Sequence, residues 1–188
     1  TTSALYLGMG ERYDLLVTLG DGVFPLVAKP WNKPGHGLAL VRTGSGSPPE
    51  PPVQLAEFTG QLTQGLDLYP EESSLLPTRP IDARATIELG GQANPYRWVI
   101  NGAPFGQNQP LEVVDNDRLL LEVVNTTTRA HPVHLHGHTF ALDNGLRKDT
   151  LLVPPSSTTA VHLDATNPGT WALHCQNEYH TKAGMMLT

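Results

Sequence analysis

Short runs in which apolar and polar residues alternate dominate the chain, and no long helical period appears. Residues 83–89, 97–100, 111–114, 119–124, 151–153, 159–163 and 170–174 are all strand candidates. Turn-forming clusters separate them: Gly90-Gly91, Asn101-Gly102, Asp115-Asn116-Asp117 and Asn167-Pro168-Gly169. About seven short strands with regular turns predict an all-β, Greek-key β-sandwich over residues 81–188. Residues 179–183 lack breakers and predict one short helix beside His180.

The earlier part of the chain reads differently. Residues 12–19, 24–28 and 38–42 are strand-like, and Gly20-Asp21-Gly22 is a hairpin signal. Three or four strands cannot close a sandwich. Residues 1–43 therefore read as the closing strands of an incomplete domain that takes its other strands from elsewhere. Residues 44–80 begin with Gly44-Ser45-Gly46-Ser47-Pro48-Pro49, a linker composition, and further prolines keep the stretch irregular. Leu62, Leu66 and Leu68 are expected to pack it onto a domain surface.

Composition sharpens this picture. The 188 residues include 18 Gly and 17 Pro, which suits turn-rich β structure better than a helical bundle. A formal charge of −6 without a basic stripe argues against nucleic acid as a partner. No apolar run approaches the length of a membrane span. One cysteine excludes an intrachain disulfide and leaves the thiol for other chemistry.

That chemistry is written in two clusters. The first is His131-Pro132-Val133-His134-Leu135-His136-Gly137-His138; the second is His174-Cys175-Gln176-Asn177-Glu178-Tyr179-His180, followed by Met185. On a strand, His134 and His136 face one side, and His131, three residues earlier, faces the other. Cys175 likewise faces away from His174 and Gln176. Cys175 is thus expected to join His131, and His174 to join His134 and His136. His180 and Met185 lie on a loop long enough to wrap around a metal held by Cys175, with Gly184 allowing the bend. Two imidazoles, a thiolate and a thioether suit copper in both oxidation states. Zinc is the competing metal, and the further imidazoles on the opposite side favour more than one copper. Met185 is read as an axial donor against core filler, and His138 as packing rather than ligand.

Both clusters resemble the C-terminal cupredoxin domain of the multicopper oxidases, the laccase-like family. The first matches the family's HPxHLHGH run, and Arg147–Pro155 resembles its RKDTxxVPP segment. Residues 174–186 resemble HCHxxxHxxxGMM, and Trp98 to Gly102 resembles the W-x-I-N-G opening. Residues 5–43, with Gly10-Glu11-Arg12-Tyr13-Asp14, resemble the end of the middle domain of three-domain members. The resemblance implies a cupredoxin-like sandwich over 81–188, a 44–80 linker and a partial second cupredoxin domain at 1–43. It implies a type-1 copper at His131, Cys175, His180 and axial Met185. His134 would hold a type-2 copper, and His136 and His174 a type-3 pair, making up to four copper ions per complete protein. Electrons from a small reducing substrate would pass through Cys175 and His174 to the trinuclear cluster, where dioxygen becomes water. The resemblance also implies an extracellular or periplasmic location.

This sequence departs from the pattern at one place: Gln176 stands where the family has histidine. An amide oxygen is a poorer copper donor than imidazole. The family's cluster also takes histidines from an N-terminal domain, and before His131 this sequence has only His36. The expectation is an oxidase part, inactive alone, completed by cupredoxin segments of the same gene product or another chain. The rival expectation is a type-1 copper module for electron transfer without oxidase activity.

Overall fold

The computed structural model describes residues 2–50 and 55–188. The chain divides into two compact units, one over residues 13–62 and one over residues 4–12 and 63–188. In the first unit, β1 (Val23–Ala28) pairs antiparallel with β2 (Gly37–Arg42), Val23 opposite Arg42 and Ala28 opposite Gly37. Residues 12–19, expected as a strand, form none: their apolar side chains Leu15, Leu16 and Val17 are exposed, and no partner strand pairs with them. Period-two patterning alone does not make a strand when the ladder lacks a second chain segment.

The second unit holds β3 (Ala83–Ala93), β4 (Tyr96–Ile100), β5 (Arg118–Asn125), β6 (His131–Leu135), β7 (Phe140–Leu142), β8 (Arg147–Lys148), β9 (Thr150–Val153), β10 (Ser157–Asp164), β11 (Leu173–Cys175), α1 (Glu178–Lys182) and β12 (Met186–Leu187). Six strands run in the order β4-β3-β5-β10-β7-β8, and four in the order β12-β11-β6-β9. Among the described strands of these two sheets, β3 and β5 pair in parallel and the other pairs are antiparallel. Apolar side chains from both sheets, including Ile87, Leu121, Val123, Val133, Leu151, Val161 and Leu173, form one buried core. Burial on this scale is the main stabilising contribution, at roughly 25 cal/mol per Å² of apolar surface removed from water.

Three expectations change here. Gly90 and Gly91 do not turn the chain; they lie inside β3, where its pairing passes from β5 to β4. A Cβ on Gly91 would sit 2.3 Å from the Arg97 carbonyl oxygen, and its φ is +124°, so the close approach of β4 requires glycine. Residues 111–114 form no strand, although Leu111 and Val113 still pack on the core. Leu66 is half exposed rather than packed, whereas Asn144 ties this stretch down by donating to the carbonyls of Gly65 and Leu68. The turns at Asn101 and Asn116 have φ of +54° and +67°, the left-handed region that asparagine tolerates best after glycine. His162 lies in β10, a central strand rather than an edge.

A segment earlier in the sequence joins this unit. Residues 4–12 pack with residues 63–188, and Leu5 bridges to Thr63.

Candidate metal centre

The register of the four-stranded sheet positions both histidine clusters. Strand β11 lies between β6 and β12, with His174 opposite His134 and Cys175 opposite Val133. Because neighbours on a strand point to opposite faces, His174 and Cys175 feed two separate groups.

The first group is buried. His131 Nδ1 and His180 Nδ1 both lie 3.7 Å from Cys175 Sγ and 3.1 Å from each other. These three donors lie within 4.8 Å of one another, with every member buried. His180 arrives on α1, whose N-cap Asn177 accepts a hydrogen bond from the Tyr179 amide. The chain then bends at Gly184, φ +115°, where a Cβ would meet Pro104 at 2.5 Å and the Trp98 carbonyl at 2.7 Å. Past this bend Met185 is fully buried; its amide donates to the His180 carbonyl and its carbonyl accepts from the Cys175 amide. The backbone thereby ties Met185 to two members of the group.

The environment of these donors is dry. Burial pushes His131 down to about 3, helped by His180 and Arg129, and His180 down to about 4. Burial also pushes the Cys175 thiol up to about 12, against a smaller opposing hydrogen bond from the Asn177 amide. Two neutral imidazoles and a thiol that resists ionisation form a site that releases its proton only to a strong Lewis acid. His131 is oriented from behind. Its Nε2 lies 2.8 Å from Thr127 Oγ1, which in turn reaches Asn125 Oδ1 at 2.9 Å. A proton on Nε2 donated to Thr127 leaves the Nδ1 lone pair facing Cys175. Trp98 covers the group, with its ring centroid 4.1 Å from His180 and 5.2 Å from His131.

The second group is open to solvent. The ring centroids of His134, His136 and His174 lie 4.8, 5.1 and 5.6 Å apart, and His136 Nε2 approaches His174 Nε2 at 3.0 Å. His134 Nδ1 lies 2.8 Å from the Asp149 carbonyl and His174 Nδ1 lies 3.0 Å from the Cys175 carbonyl. A proton on each Nδ1 therefore leaves both Nε2 lone pairs for a shared ligand. His136 is held below its ordinary value by partial desolvation and by the other two imidazoles. His138 stands apart, edge-on to Trp171. An open cleft of about 610 Å³, lined in part by His138, Arg147 and Asp164, flanks His134.

The structure thus brings His131, Cys175 and His180 together on one side, and His134, His136 and His174 on the other. The Gln176 side chain lies close to Gly10, where a Cβ would meet it at 2.7–2.8 Å. Residues 78–188, more than half of the chain, match the profile described as multicopper oxidase. The chain belongs to the multicopper oxidase family.

It is 42% identical to the multicopper oxidase MmcO of Mycobacterium tuberculosis, over 97% of this chain and 37% of that protein. The chain therefore spans little more than a third of that relative. The crystal structure of McoA multicopper oxidase from Aquifex aeolicus superposes with a TM-score of 0.50 at 27% identity, over 60% of this chain and 30% of that one. Fet3p, described as a multicopper oxidase that functions in iron import, matches in fold with a TM-score of 0.68 at 18% identity, over 89% of this chain and 43% of its own. The fold is the all-β, cupredoxin-like architecture of this family.

Two residues of the buried group carried no functional signal in the sequence. Thr127 sits in a Thr-Thr-Thr run after a strand and reads as a turn. Trp98 was legible only as part of the W-x-I-N-G resemblance, not as the ring against both imidazoles. No helix among the described residues is long and apolar enough to cross a membrane.

Proposed function

We propose that this chain is the electron-accepting part of a multicopper oxidase, in which His131, Cys175, His180 and Met185 would hold a type-1 copper. The convergence of two buried imidazole Nδ1 atoms on one buried thiol supports this most directly. Soft and borderline donors in a buried pocket favour a metal that cycles between two oxidation states. Copper at the first group would supply one-electron oxidation of a small reducing substrate, and copper at the second would supply reduction of dioxygen to water. The protein contributes fixed donors, excluded water and a short covalent link: Cys175 and His174 are adjacent, and His174 Nδ1 is also bonded to the Cys175 carbonyl.

His134, His136 and His174 are proposed as trinuclear-cluster ligands, His134 toward the type-2 ion and the others toward the type-3 pair. Their exposure suits completion by cupredoxin segments from the same gene product or another chain. Residues 1–43, 44–80 and 81–188 are proposed as the end of a middle domain, a linker and the C-terminal copper domain. An extracellular or periplasmic location follows the family resemblance.

One observation favours the alternative of a type-1 electron-transfer module. The Gln176 side chain is turned to Gly10, and an amide cannot replace an imidazole as a strong copper donor. The deciding experiment is copper stoichiometry with optical and electron paramagnetic resonance spectra of the copper-loaded chain. One copper, an intense thiolate band and a narrow type-1 signal support the site. Zinc retention or no blue band refutes it. Oxygen consumption after Gln176→His, with the family's other cupredoxin domains supplied, separates oxidase from module.

A further inference from the structure

We propose that residues 8–12 form a strap across the four-stranded sheet and that Arg12 is a positioning residue for His134. The inference builds on the reading of His134 as a ligand. The strap is a turn closed on itself: the Glu11 amide donates to the Gly8 carbonyl at 3.0 Å, and the Gly8 amide donates to Glu11 Oε2 at 2.8 Å. A Cβ on Gly8 would lie 3.1 Å from Pro132 and 3.3 Å from Leu152, so the strap rests on β6 and β9. A Cβ on Gly10 would lie 2.7–2.8 Å from three atoms of the Gln176 side chain. One five-residue turn thus touches β6, which carries His134, its neighbour β9, and the residue after Cys175.

Two consecutive charges of the strap meet two consecutive charges at the β8–β9 junction, Lys148 at the end of β8 and Asp149 just before β9. Glu11 Oε1 pairs with Lys148 Nζ at 2.9 Å, with side chains only 4% and 8% exposed. Arg12 then donates from Nη1 and Nη2 to the two oxygens of Asp149 at 2.7 and 2.8 Å. Arg12 Nη1 also donates to the Gly10 carbonyl at 2.8 Å, which fixes the guanidinium from the strap side. The buried pair anchors the strap, and the bidentate pair sets Asp149.

Asp149 is the point of contact with the histidines. Its carbonyl accepts from the Leu135 amide at 3.0 Å and faces His134 Nδ1 at 2.8 Å. Its carboxylate lies 4.0 Å from the same Nδ1 and takes a 3.0 Å hydrogen bond from Thr150 Oγ1. Arg12 and Thr150 hold the carboxylate at this distance from the ring. The Nδ1 proton faces the Asp149 carbonyl as its nearest acceptor, with Thr150 Oγ1 a second neighbour at 3.2 Å, and Nε2 is left on the side of the other imidazoles. Arg12 therefore acts on His134 through Asp149, without touching it.

The test uses the metal-free 188-residue chain, so it stands apart from copper loading. Nitrogen-15 spectroscopy follows the His134 Nδ1 proton and its exchange with water. The expected result is one protected Nδ1–H signal in the parent chain and at least tenfold faster exchange in both Arg12→Gln and Asp149→Asn. Asp149→Asn keeps the backbone carbonyl but breaks the ion pair, so it must behave as Arg12→Gln does. Arg12→Lys keeps the charge and restores part of the protection. Core amides of β5 serve as the control for an intact fold. Exchange within twofold of the parent in either broken-pair variant, with the core intact, overturns the proposal; so does equal loss in Arg12→Lys and Arg12→Gln.

Discussion

Lowering the pH from 7.5 to 5 should destabilise the metal-free chain, and the cause is the buried imidazole pair. His131 is fully buried and His180 nearly so, with values pushed from 6.5 to about 3 and about 4. Below pH 6.5 the unfolded chain takes up protons at both positions and the folded chain does not. A proton-binding deficit in the folded state means stability falls as pH falls, starting at the unfolded value. At pH 5 each imidazole disfavours folding by about 2 kcal/mol relative to neutral pH, at 1.36 kcal/mol per unit. The pair together accounts for about 4 kcal/mol, or a fall in thermal midpoint of roughly 8–16 °C for a unit of this size. The carboxylates act in a different window. Asp149 and Asp164 are held below their ordinary value by hydrogen bonds from Arg12 and Arg118. Their contribution is present above the unfolded value near 4 and is lost only as pH falls further. The interval from pH 6.5 to 4 thus reports on the histidines. The assay is thermal unfolding by circular dichroism at half-unit pH steps, on the parent and on His180→Asn. The parent should lose stability across this interval, and the variant should lose about half as much. A flat parent profile, or an equal slope in the variant, would refute the account of a dry, neutral imidazole pair.

Other perturbations follow from the same geometry. Gly91→Ala forces a Cβ to within 2.3 Å of the Arg97 carbonyl at a φ of +124°, and should cost several kcal/mol, about 3 or more, in urea unfolding. Trp98→Ala removes a buried ring from above both imidazoles; a loss of about 3–5 kcal/mol is expected, with a weakened thiolate band after copper loading even where the fold survives. Thr127→Val leaves His131 Nε2 facing a methyl group and should cost about 1–3 kcal/mol, measured by chemical unfolding, with Thr127→Ser largely restoring it. Gly10→Ala should lower stability by about 1–2 kcal/mol and shift the Gln176 side-chain amide signals, because its Cβ would occupy their space.

The grouping of the donors was legible in the sequence because spacing on a strand decides which side a donor faces. The odd interval between His131 and His134, and the adjacency of His174 and Cys175, separate the two groups before any coordinates are known, and the structure places them accordingly. Strands β3, β5 and β10 were legible for the same reason. Illegible features depend on partners distant in sequence. Residues 12–19 have a strand pattern but no ladder to join, and Gly90-Gly91 carries a turn signal that the close approach of β4 overrides. Strands β7 and β8 are too short for a period to register. The pairing of Arg12 with Asp149 spans 137 residues, and nothing local at either end announces it.

The contrast between one sealed and one open histidine group has a kinetic consequence. His136 stands in solvent, so ions and chelators reach it by diffusion alone. His131 and Cys175 are buried, with Trp98 packed on His180 of α1 and the bend at Gly184 close against the Trp98 carbonyl. Were both groups to hold metal, exchange at the buried one would wait on local opening of the chain, and exchange at His136 on encounter. A chelator pulse would then empty the two in sequence, an order set by the fold before donor affinity enters.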